Sequence, residues 1–333
     1  MNNKQTNKNN VVMIENAIWI TWEYQVRNRN LSSILGIPLF EIVIPELKKM
    51  RYVLSLIRTI KILVKHRPKY VFHQSPSIVL AFFIAVLQPF FRYRTIIDCH
   101  NAGLKPNEGK SGILNGIAKL SLKRAHLVIM HNEVVAQKSP KNLKQLLVLP
   151  DPIPEVNVVA PKSAFEQKKK VVFICRWAED EPYSEVIKMA RSIESKAPHI
   201  TIYITGRPPK AVLQKKLPAN IKLTGFLSHQ DYNELLNDSY ALIALTNRCD
   251  SLNCAGYEAL AYSKPVVLSD SKTLKNFFNK GCLFTNNSSD DLEVKLFDLI
   301  NKYDELVTDI EVFKHNYSTD YLTRLKKLKL LIS

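Results

Sequence analysis

Two carboxylates eight residues apart, Asp250 and Glu258, stand in the part of the sequence that is best suited to hold a phosphate-containing ligand. They belong to residues 247–269, which follow one apolar run at residues 241–245 and contain another at 265–268. A helix that opens directly after a strand presents free backbone N–H groups and the positive end of its dipole, which favour a phosphate. The pattern therefore predicts a phosphate-binding turn with one carboxylate at its start and another two turns along.

The helix is predicted over residues 251–262, between Asp250 or Ser251 as its N-cap and Pro265 beyond its end. A separation of eight residues is a little over two helical turns, so Asp250 and Glu258 can share one side. The backbone that faces the ligand is expected at the start of this helix, from Ser251 through Leu252 and Asn253 to Cys254.

This part of the sequence contains, in order, a strand, Thr246, a short loop, an acid, Glu258-Ala259 and Lys264-Pro265-Val-Val. The order resembles the donor-site signature of family 4 nucleotide-sugar glycosyltransferases, which have the GT-B fold. The resemblance implies that Asp250 faces the hydroxyls of the transferred sugar, that Glu258 binds the ribose, and that the helix start receives the diphosphate. The sequence departs from the family where it has Asp instead of Glu at 250 and Ser-Leu-Asn instead of a glycine-rich segment.

A second part of the resemblance lies at residues 171–190, where Arg176 matches the family's arginine that pairs with the diphosphate. The family's following Lys-Gly is replaced here by Glu179-Asp180-Glu181-Pro182. Arg248 and Arg207 are therefore the candidates for the missing cation, because a guanidinium makes two parallel hydrogen bonds to phosphate.

Three further positions match the family. Gly206 in ITGRPPK and Gly225 in LTGF follow two predicted strands, and the second of these segments resembles the one beside the nucleotide base. His100 in TIIDCHN ends a strand of the first half, where many family members keep a histidine near the sugar. A surface or capping histidine is the alternative at this position.

The elements needed to position these residues follow from the alternation of apolar strands and helices along 333 residues. Strands are predicted at 17–21, 39–44, 70–73, 95–99, 127–130 and 146–149, then at 171–175, 200–205, 221–223, 241–245, 265–268 and 282–284. Helices are predicted at 24–35, 46–66, 77–87 and 113–124, then at 183–193, 209–215, 229–236, 251–262, 272–279, 290–301 and 304–332.

The alternation predicts an α/β fold with two similar halves and a cleft between them, and the resemblance implies the GT-B type, in which two Rossmann-like domains face each other across that cleft. Residues 1–155 form the acceptor domain, with a disordered lead at 1–10, and residues 156–310 form the donor domain. Residues 311–333 form a basic amphipathic helix. The prolines of PDPIPE, residues 150–155, mark the linker because they interrupt helices and strands.

The net charge of +17 is concentrated in the first half of the chain. Residues 1–160 hold 22 Lys and Arg against 9 Asp and Glu, a net charge of +13, which leaves +4 for the rest. This asymmetry indicates an anionic partner for the first half, either a membrane surface or nucleic acid. No nucleic-acid partner is expected, because the basic residues are not interleaved with aromatics as in RNA-binding modules.

The compartment is predicted from three absences in the sequence. The first ten residues lack the apolar core of a signal peptide, and no apolar run reaches 18 residues, the nearest being 78–87. Five cysteines without a CxxC pair disfavour disulfides and zinc. We expect a cytoplasmic protein that associates peripherally with the inner face of the cell membrane.

The resemblance implies transfer of a sugar from a nucleotide sugar with retention of configuration, and we expect the acceptor to be a glycan or lipid-linked glycan in surface polysaccharide biosynthesis. No metal and no cofactor beyond the donor is expected, since no Asp-x-Asp motif is found. Inversion stays open, with Glu23, Asp98 or His100 as the base. Two further interpretations stay open as well: a pseudoenzyme that binds the nucleotide sugar, and a basic nucleic-acid-binding protein.

Overall fold

The computed structural model describes residues 13–44, 50–75, 77–158 and 169–332. The chain divides into two compact units, the first made of Met1–Pro152 with Thr319–Ser333 and the second of Ile153–Ser318. Each unit contains a six-stranded sheet whose paired strands all run parallel. The predicted α/β class is confirmed.

Unit 1 has the strand order β2-β1-β3-β4-β5-β6. Strands β1, β3 and β5 are buried along their whole length, as expected for a parallel sheet covered on both faces. Its elements are β1 (Ala17–Thr21), α1 (Val26–Ile34), β2 (Leu39–Glu41), α2 (Met50–His66), β3 (Tyr70–Ser75), α3 (Ile78–Phe91), β4 (Arg94–Cys99), α4 (Asn101–Leu104), a 3-10 turn (Pro106–Gly109), α5 (Gly112–Arg124), β5 (Leu127–Met130), α6 (Glu133–Gln137) and β6 (Leu146–Val148).

Unit 2 has the strand order β12-β11-β10-β7-β8-β9. Its core is the apolar interior between these strands and their helices, centred on β7 and β10. Its elements are β7 (Lys169–Phe173), α7 (Tyr183–Ile193), β8 (Ile200–Thr205), α8 (Lys210–Leu213), β9 (Ile221–Gly225), α9 (His229–Asn237), β10 (Ala241–Ala244), α10 (Cys254–Ala261), β11 (Val266–Ser269), α11 (Lys272–Phe277), β12 (Cys282–Thr285), α12 (Ser289–Asn301) and the first part of α13 (Tyr303–Ile332).

Each sheet has a point at which the strand order reverses. In unit 1, β1 lies between β2 and β3, and in unit 2, β7 lies between β10 and β8. Ligands of open α/β sheets bind outside the carboxyl ends of the strands at such points. In unit 2, Arg176 follows β7 and residues 246–253 follow β10, so the topology alone brings two of the predicted segments together.

Helix α3 is longer than the sequence predicts, because it continues past Leu87 to Phe91 although it contains Pro89. A proline has no N–H for the carbonyl four residues earlier, which here is that of Ala85. The guanidinium of Arg124 donates to this carbonyl oxygen at 3.1 Å and satisfies it. A side chain from α5 thus compensates for the bond that the proline removes.

Two short helices, α4 and α6, were not predicted, since four or five residues are too few to show helical periodicity. The predicted helix at 46–66 is observed from Met50, and residues 45–49 lie outside the described residues. The predicted helical tail is confirmed as α13, whose last turns belong to unit 1. There the guanidinium of Arg324 donates to the carbonyl of Val148 at 2.9 Å. No helix in the described ranges is long and apolar enough to cross a bilayer.

Candidate functional site

A pocket of about 1160 Å³ lies in unit 2 at the carboxyl ends of β7, β8, β9 and β10. Most of the predicted site residues line it, although they come from separate parts of the sequence: Arg176, Gly206, Arg207, Gly225, Arg248, Ser251, Leu252, Asn253, Cys254 and Glu258. Asp250 is half-buried and lies outside the lining set, and His100 belongs to unit 1.

The helix at the mouth of this pocket begins three residues later than predicted. Asn253, rather than Asp250 or Ser251, is the N-cap of α10, and its Oδ1 accepts a hydrogen bond from the N–H of Ala255 at 3.0 Å. Asparagine caps helices as well as Asp or Ser, so residue type alone did not distinguish the three positions. Ser251 and Leu252 therefore line the pocket from an irregular segment and not from the helix.

Close packing fixes the position of α10. A Cβ atom at Gly256 would lie 2.6 Å from the ring of Phe278, so only glycine lets the helix approach that ring this closely. Phe278 itself is almost fully buried and packs edge-on against Tyr257. The start of α10 is thus held against the core of unit 2 through Gly256 in its first turn.

Glu258 projects into the pocket from α10. Its Oε2 accepts a hydrogen bond from the hydroxyl of Tyr232 at 2.7 Å. Burial raises the pKa of Glu258, and the tyrosine and His229 only partly oppose this. Burial and the neighbouring carboxylate also raise the pKa of Tyr232, so its hydroxyl stays protonated and donates the hydrogen bond to Glu258. A carboxylate in this position is suited to accept hydrogen bonds from the hydroxyls of a ligand.

Three arginines supply positive charge to the pocket. The side chains of Arg176 and Arg248 are 79% and 65% exposed. Arg207 lies with its guanidinium carbon 5.3 Å from the ring centre of Phe226. All three come from loops that follow strands, which is where an anionic ligand of a parallel sheet binds.

The acidic residues after β7 organise the loops of the pocket, a role that the sequence did not reveal. Buried Glu181 accepts hydrogen bonds at Oε2 from the backbone N–H groups of Arg176 (2.8 Å) and Ala178 (3.1 Å). Asp180 accepts at Oδ2 from the Thr246 hydroxyl (2.9 Å) and through its carbonyl from the N–H of Asn247 (2.7 Å). The acidic segment therefore connects the loop after β7 to the loop after β10.

Glycine at position 206 is required by the neighbouring loop. Its φ is +80°, and a Cβ there would lie 2.4 Å from the carbonyl oxygen of Cys175. The loops after β7 and β8 can therefore meet only without a side chain at this position. Gly225 also has a positive φ of +69°.

A second polar cluster lies at the carboxyl ends of β3, β4 and β5 in unit 1. Buried Arg27 binds Asp98 through Nε (2.9 Å) and Asp151 through Nη1 (2.6 Å). Burial alone would raise the pKa of Asp98, but Arg27 and His100 outweigh it and hold this pKa well below its usual range. Of the two arginines in α1, Arg27 is buried and Arg29 is exposed.

His100 is the N-cap of α4 and lies at the accessible side of this cluster. Its Nε2 is 3.4 Å from Asp98 Oδ2 and 2.8 Å from the side-chain nitrogen of Gln74. Its ring stacks on that of His131, which the sequence did not single out and whose pKa burial lowers to about 4. Asp98 is 1% exposed, so it is a poor candidate for the base that an inverting reaction needs, whereas His100 and Glu23 are accessible.

The part of the chain that the structure describes contains no group of three or more His, Cys, Asp or Glu side chains arranged to hold a metal ion. All five cysteines are free thiols. Two of them, Cys249 and Cys254, are exposed.

The comparison with known proteins gives a family for the second half of the chain. Residues 157–311 match the family model described as glycosyl transferases group 1. The match covers the whole pocket of unit 2, including all of its lining residues. A search of curated protein sequences gave no match.

Solved structures give the fold of the whole chain as GT-B. Anabaena HepE in complex with UDP and glucose has a TM-score of 0.67 and 12% identity, over 94% of this chain and 98% of HepE. The lipopolysaccharide outer core galactosyltransferase WaaB has a TM-score of 0.62 and 12% identity, over 95% and 98%. TarM has a TM-score of 0.64 and 17% identity over 84% of this chain, which spans 58% of the length of TarM.

Proposed function

We propose that this chain, a glycosyltransferase of the GT-B fold whose residues 157–311 form a glycosyl transferases group 1 domain, binds a nucleotide sugar in the pocket of unit 2 and transfers the sugar to a glycan or lipid-linked glycan. One observation carries the proposal: Glu258, the start of α10 and three arginines line a single concave surface. HepE was solved with UDP and with UDP-glucose, which supports a uridine nucleotide sugar as the first donor to test.

The chemistry that such a pocket favours follows from charge. Breaking the bond between a sugar and a nucleoside diphosphate leaves negative charge on the departing phosphate, so fixed positive groups there stabilise the transition state most. Arg176, Arg248 and Arg207 can supply that charge, while Glu258 accepts hydrogen bonds from the ribose. We propose that Asp250 contacts the transferred sugar and that His100 contacts the sugar or the acceptor.

The finer features of the reaction are part of the same proposal. We infer from the group 1 resemblance that the anomeric configuration is retained. We also propose that the reaction is independent of metal ions and that it belongs to surface polysaccharide biosynthesis. The anomeric signals of the product in a proton NMR spectrum distinguish retention from inversion. Turnover that survives EDTA supports metal independence, and turnover that EDTA abolishes contradicts it.

The experiment that tests the function has two stages. The full chain is titrated with UDP, GDP and ADP and with their sugar conjugates, and the conjugates that bind are then offered with a lipid-linked glycan. Binding and turnover are expected. Binding without turnover on any acceptor would favour a pseudoenzyme, and tight RNA binding without nucleotide binding would favour a nucleic-acid-binding protein.

Glu258→Ala is expected to weaken binding of the nucleotide by about 1.5–3 kcal/mol, the value of a hydrogen bond to a charged group. The reason is loss of the acceptor for the ribose hydroxyls, and the measurement is isothermal titration with UDP. Glu234→Ala removes an exposed glutamate from neighbouring α9 and is the matched control. Equal affinity of the two variants, both folded by circular dichroism, would contradict the assignment.

The proposed partner of unit 1 is an anionic membrane surface, and α2 supports it. The helix buries the small polar residues Ser55 and Thr59, because Thr59 accepts a hydrogen bond from the indole N–H of Trp22 at 3.0 Å. Leu63 is buried beside them, whereas several other apolar residues of α2 face outward. Those with exposures of 45% or more form one stripe at helical spacing: Met50, Val53, Ile57 and Val64.

A row of basic residues lies beside this stripe: Arg51, Arg58, Lys61 and Lys65, all exposed. An apolar stripe flanked by Lys and Arg is the arrangement of helices that lie in the interface of an anionic bilayer. Helix α3 packs against α2 and α5 packs against α3, and these two expose Phe90 and Ile113. We propose that this face of unit 1 holds the protein at the inner face of the cell membrane.

Liposome co-sedimentation tests this attachment. We expect binding to vesicles that contain anionic lipid, a loss of binding as salt rises, and a decrease of about 1 kcal/mol for each basic residue of α2 that is replaced by alanine. Ile57→Asp should abolish most of the binding, whereas Leu213→Asp, at an exposed apolar residue of unit 2, should have no effect. Equal binding to neutral vesicles, or none to either kind, would contradict the proposal.

A further inference from the structure

Two of the three arginines of the unit 2 pocket are already paired with carboxylates. Arg176 Nε lies 3.4 Å from Glu181 Oε1, and Arg248 Nε lies 3.2 Å from Asp180 Oδ2. Both carboxylates line the pocket together with the two arginines. Negative charge therefore stands beside the groups that would hold the phosphates of a donor.

Glu181 also takes up donors that an anionic ligand would use. The backbone N–H groups of Arg176 and Ala178 converge on its Oε2, and the thiol of Cys175 approaches the same oxygen at 3.5 Å. Converging N–H groups in a turn after a strand form an anion-binding concavity. Here the carboxylate of Glu181 occupies this concavity and holds the loop after β7 together.

We propose that Asp180 and Glu181 compete with the diphosphate of the donor for Arg248 and Arg176, and thereby set how loosely the nucleoside diphosphate product is held. This rests on the proposed function, because it needs a diphosphate in the pocket. The arginine heads are mostly exposed, and exposed ion pairs are weak. A diphosphate can therefore displace the carboxylates at small cost, and the carboxylates can recover the arginines when the product leaves.

A neutral amide side chain at either position can keep the hydrogen bonds of the loop. In Glu181→Gln the side-chain oxygen can still accept from the N–H groups of Arg176 and Ala178, while the negative charge beside the guanidinium is lost. In Asp180→Asn the side-chain oxygen can still accept from the Thr246 hydroxyl, and the carbonyl of residue 180 still accepts from the N–H of Asn247. Both variants keep the loop contacts and remove the competing charge.

The test is isothermal titration of the full chain with a nucleoside diphosphate and with the corresponding nucleoside, using whichever of UDP, GDP and ADP binds the wild type. Glu181→Gln and Asp180→Asn are each expected to raise the affinity for the diphosphate about two- to fivefold, which is the effect of one ion pair open to solvent. The affinity for the nucleoside should stay unchanged. Glu181→Ala should lower the affinity for the diphosphate, because the N–H groups of Arg176 and Ala178 lose the carboxylate that accepts their hydrogen bonds. A merely structural role of the two acids predicts no tightening in any variant.

Asp309→Asn is the matched control, since it neutralises an exposed carboxylate that pairs with Lys280 outside the pocket. It is expected to leave affinity unchanged, and equal tightening in this variant would assign the effect to net charge and overturn the proposal. Unchanged or weaker diphosphate binding in folded Asp180→Asn would also overturn it, whatever the fate of Glu181→Gln. A wild type that binds none of the three nucleotides would instead refute the proposed function.

Discussion

Replacing Arg176 with alanine is expected to lower kcat/KM for the nucleotide sugar by about 100- to 1000-fold, the usual result of removing one preorganised donor from developing charge. Arg176 directly follows the carboxyl end of β7, at the reversal point of the sheet, and its guanidinium is exposed to the pocket. The expected loss falls mainly on kcat, because charge on the leaving phosphate is greatest in the transition state. Steady-state kinetics with varied donor at saturating acceptor measures it.

A matched control separates this effect from a general loss of positive charge. Arg191 is an exposed arginine of α7 that contacts the carbonyl of Lys216 outside the pocket, and Arg191→Ala should leave kcat/KM within about twofold of the wild type. A decrease of less than tenfold in Arg176→Ala would contradict the leaving-group role.

Arg248→Ala and Arg207→Ala then identify which arginine takes the place of the lysine that the family has after Arg176. Arg248 is the stronger candidate, because it lies in the loop between β10 and α10 and its side chain is 65% exposed at the pocket. A large loss in Arg248→Ala with a small one in Arg207→Ala is the expected result. The reverse would assign the role to Arg207, and two small losses would favour the pseudoenzyme.

The sequence was sufficient for the two sheets because most of their strands are short apolar runs between helices, and buried parallel strands are apolar on both faces. It also located the pocket of unit 2, since each lining segment follows a predicted strand and the carboxyl ends of parallel strands meet at one edge. The start of α10 was wrong by three residues. Asp250, Ser251 and Asn253 are all good caps, so residue type does not show that Asn253 is the one used.

The contacts of charged residues could not be predicted from the sequence. The sequence shows Glu181 only as one of the acids that replace the family's Lys-Gly, and it does not reveal that this carboxylate accepts backbone hydrogen bonds from residues three and five positions earlier. The sequence does not distinguish Arg27 from Arg29 in α1, because the partners of Arg27, Asp98 and Asp151, lie 71 and 124 residues away. Partners at such distances depend on the register of several strands, which local pattern does not specify.

The cluster in unit 1 gives the largest expected effect on stability. Arg27→Met is expected to lower the stability of unit 1 by about 3–5 kcal/mol, because it leaves the buried carboxylate of Asp98 without its counter-charge. Since the chain has two units, one unfolding midpoint does not describe it. Hydrogen exchange of peptides from β4 and β5, followed across a urea series, measures the stability of unit 1 alone. Exchange in β7 and β10 of unit 2 should stay unchanged.

The control and the pH dependence make this prediction specific to the buried pair. Arg29→Met, two residues along the same helix, removes an exposed pair with Glu41 and a hydrogen bond to the Tyr24 hydroxyl, and should change stability far less than Arg27→Met does. Arg27 holds the pKa of Asp98 below its ordinary value of about 4, so the stabilisation is fully present above that pH and is lost as pH falls below it. The difference between the wild type and Arg27→Met should therefore be largest near neutral pH and shrink in acid. A difference that stays constant from pH 7 to pH 3 would assign the loss to packing of the arginine side chain and not to its charge.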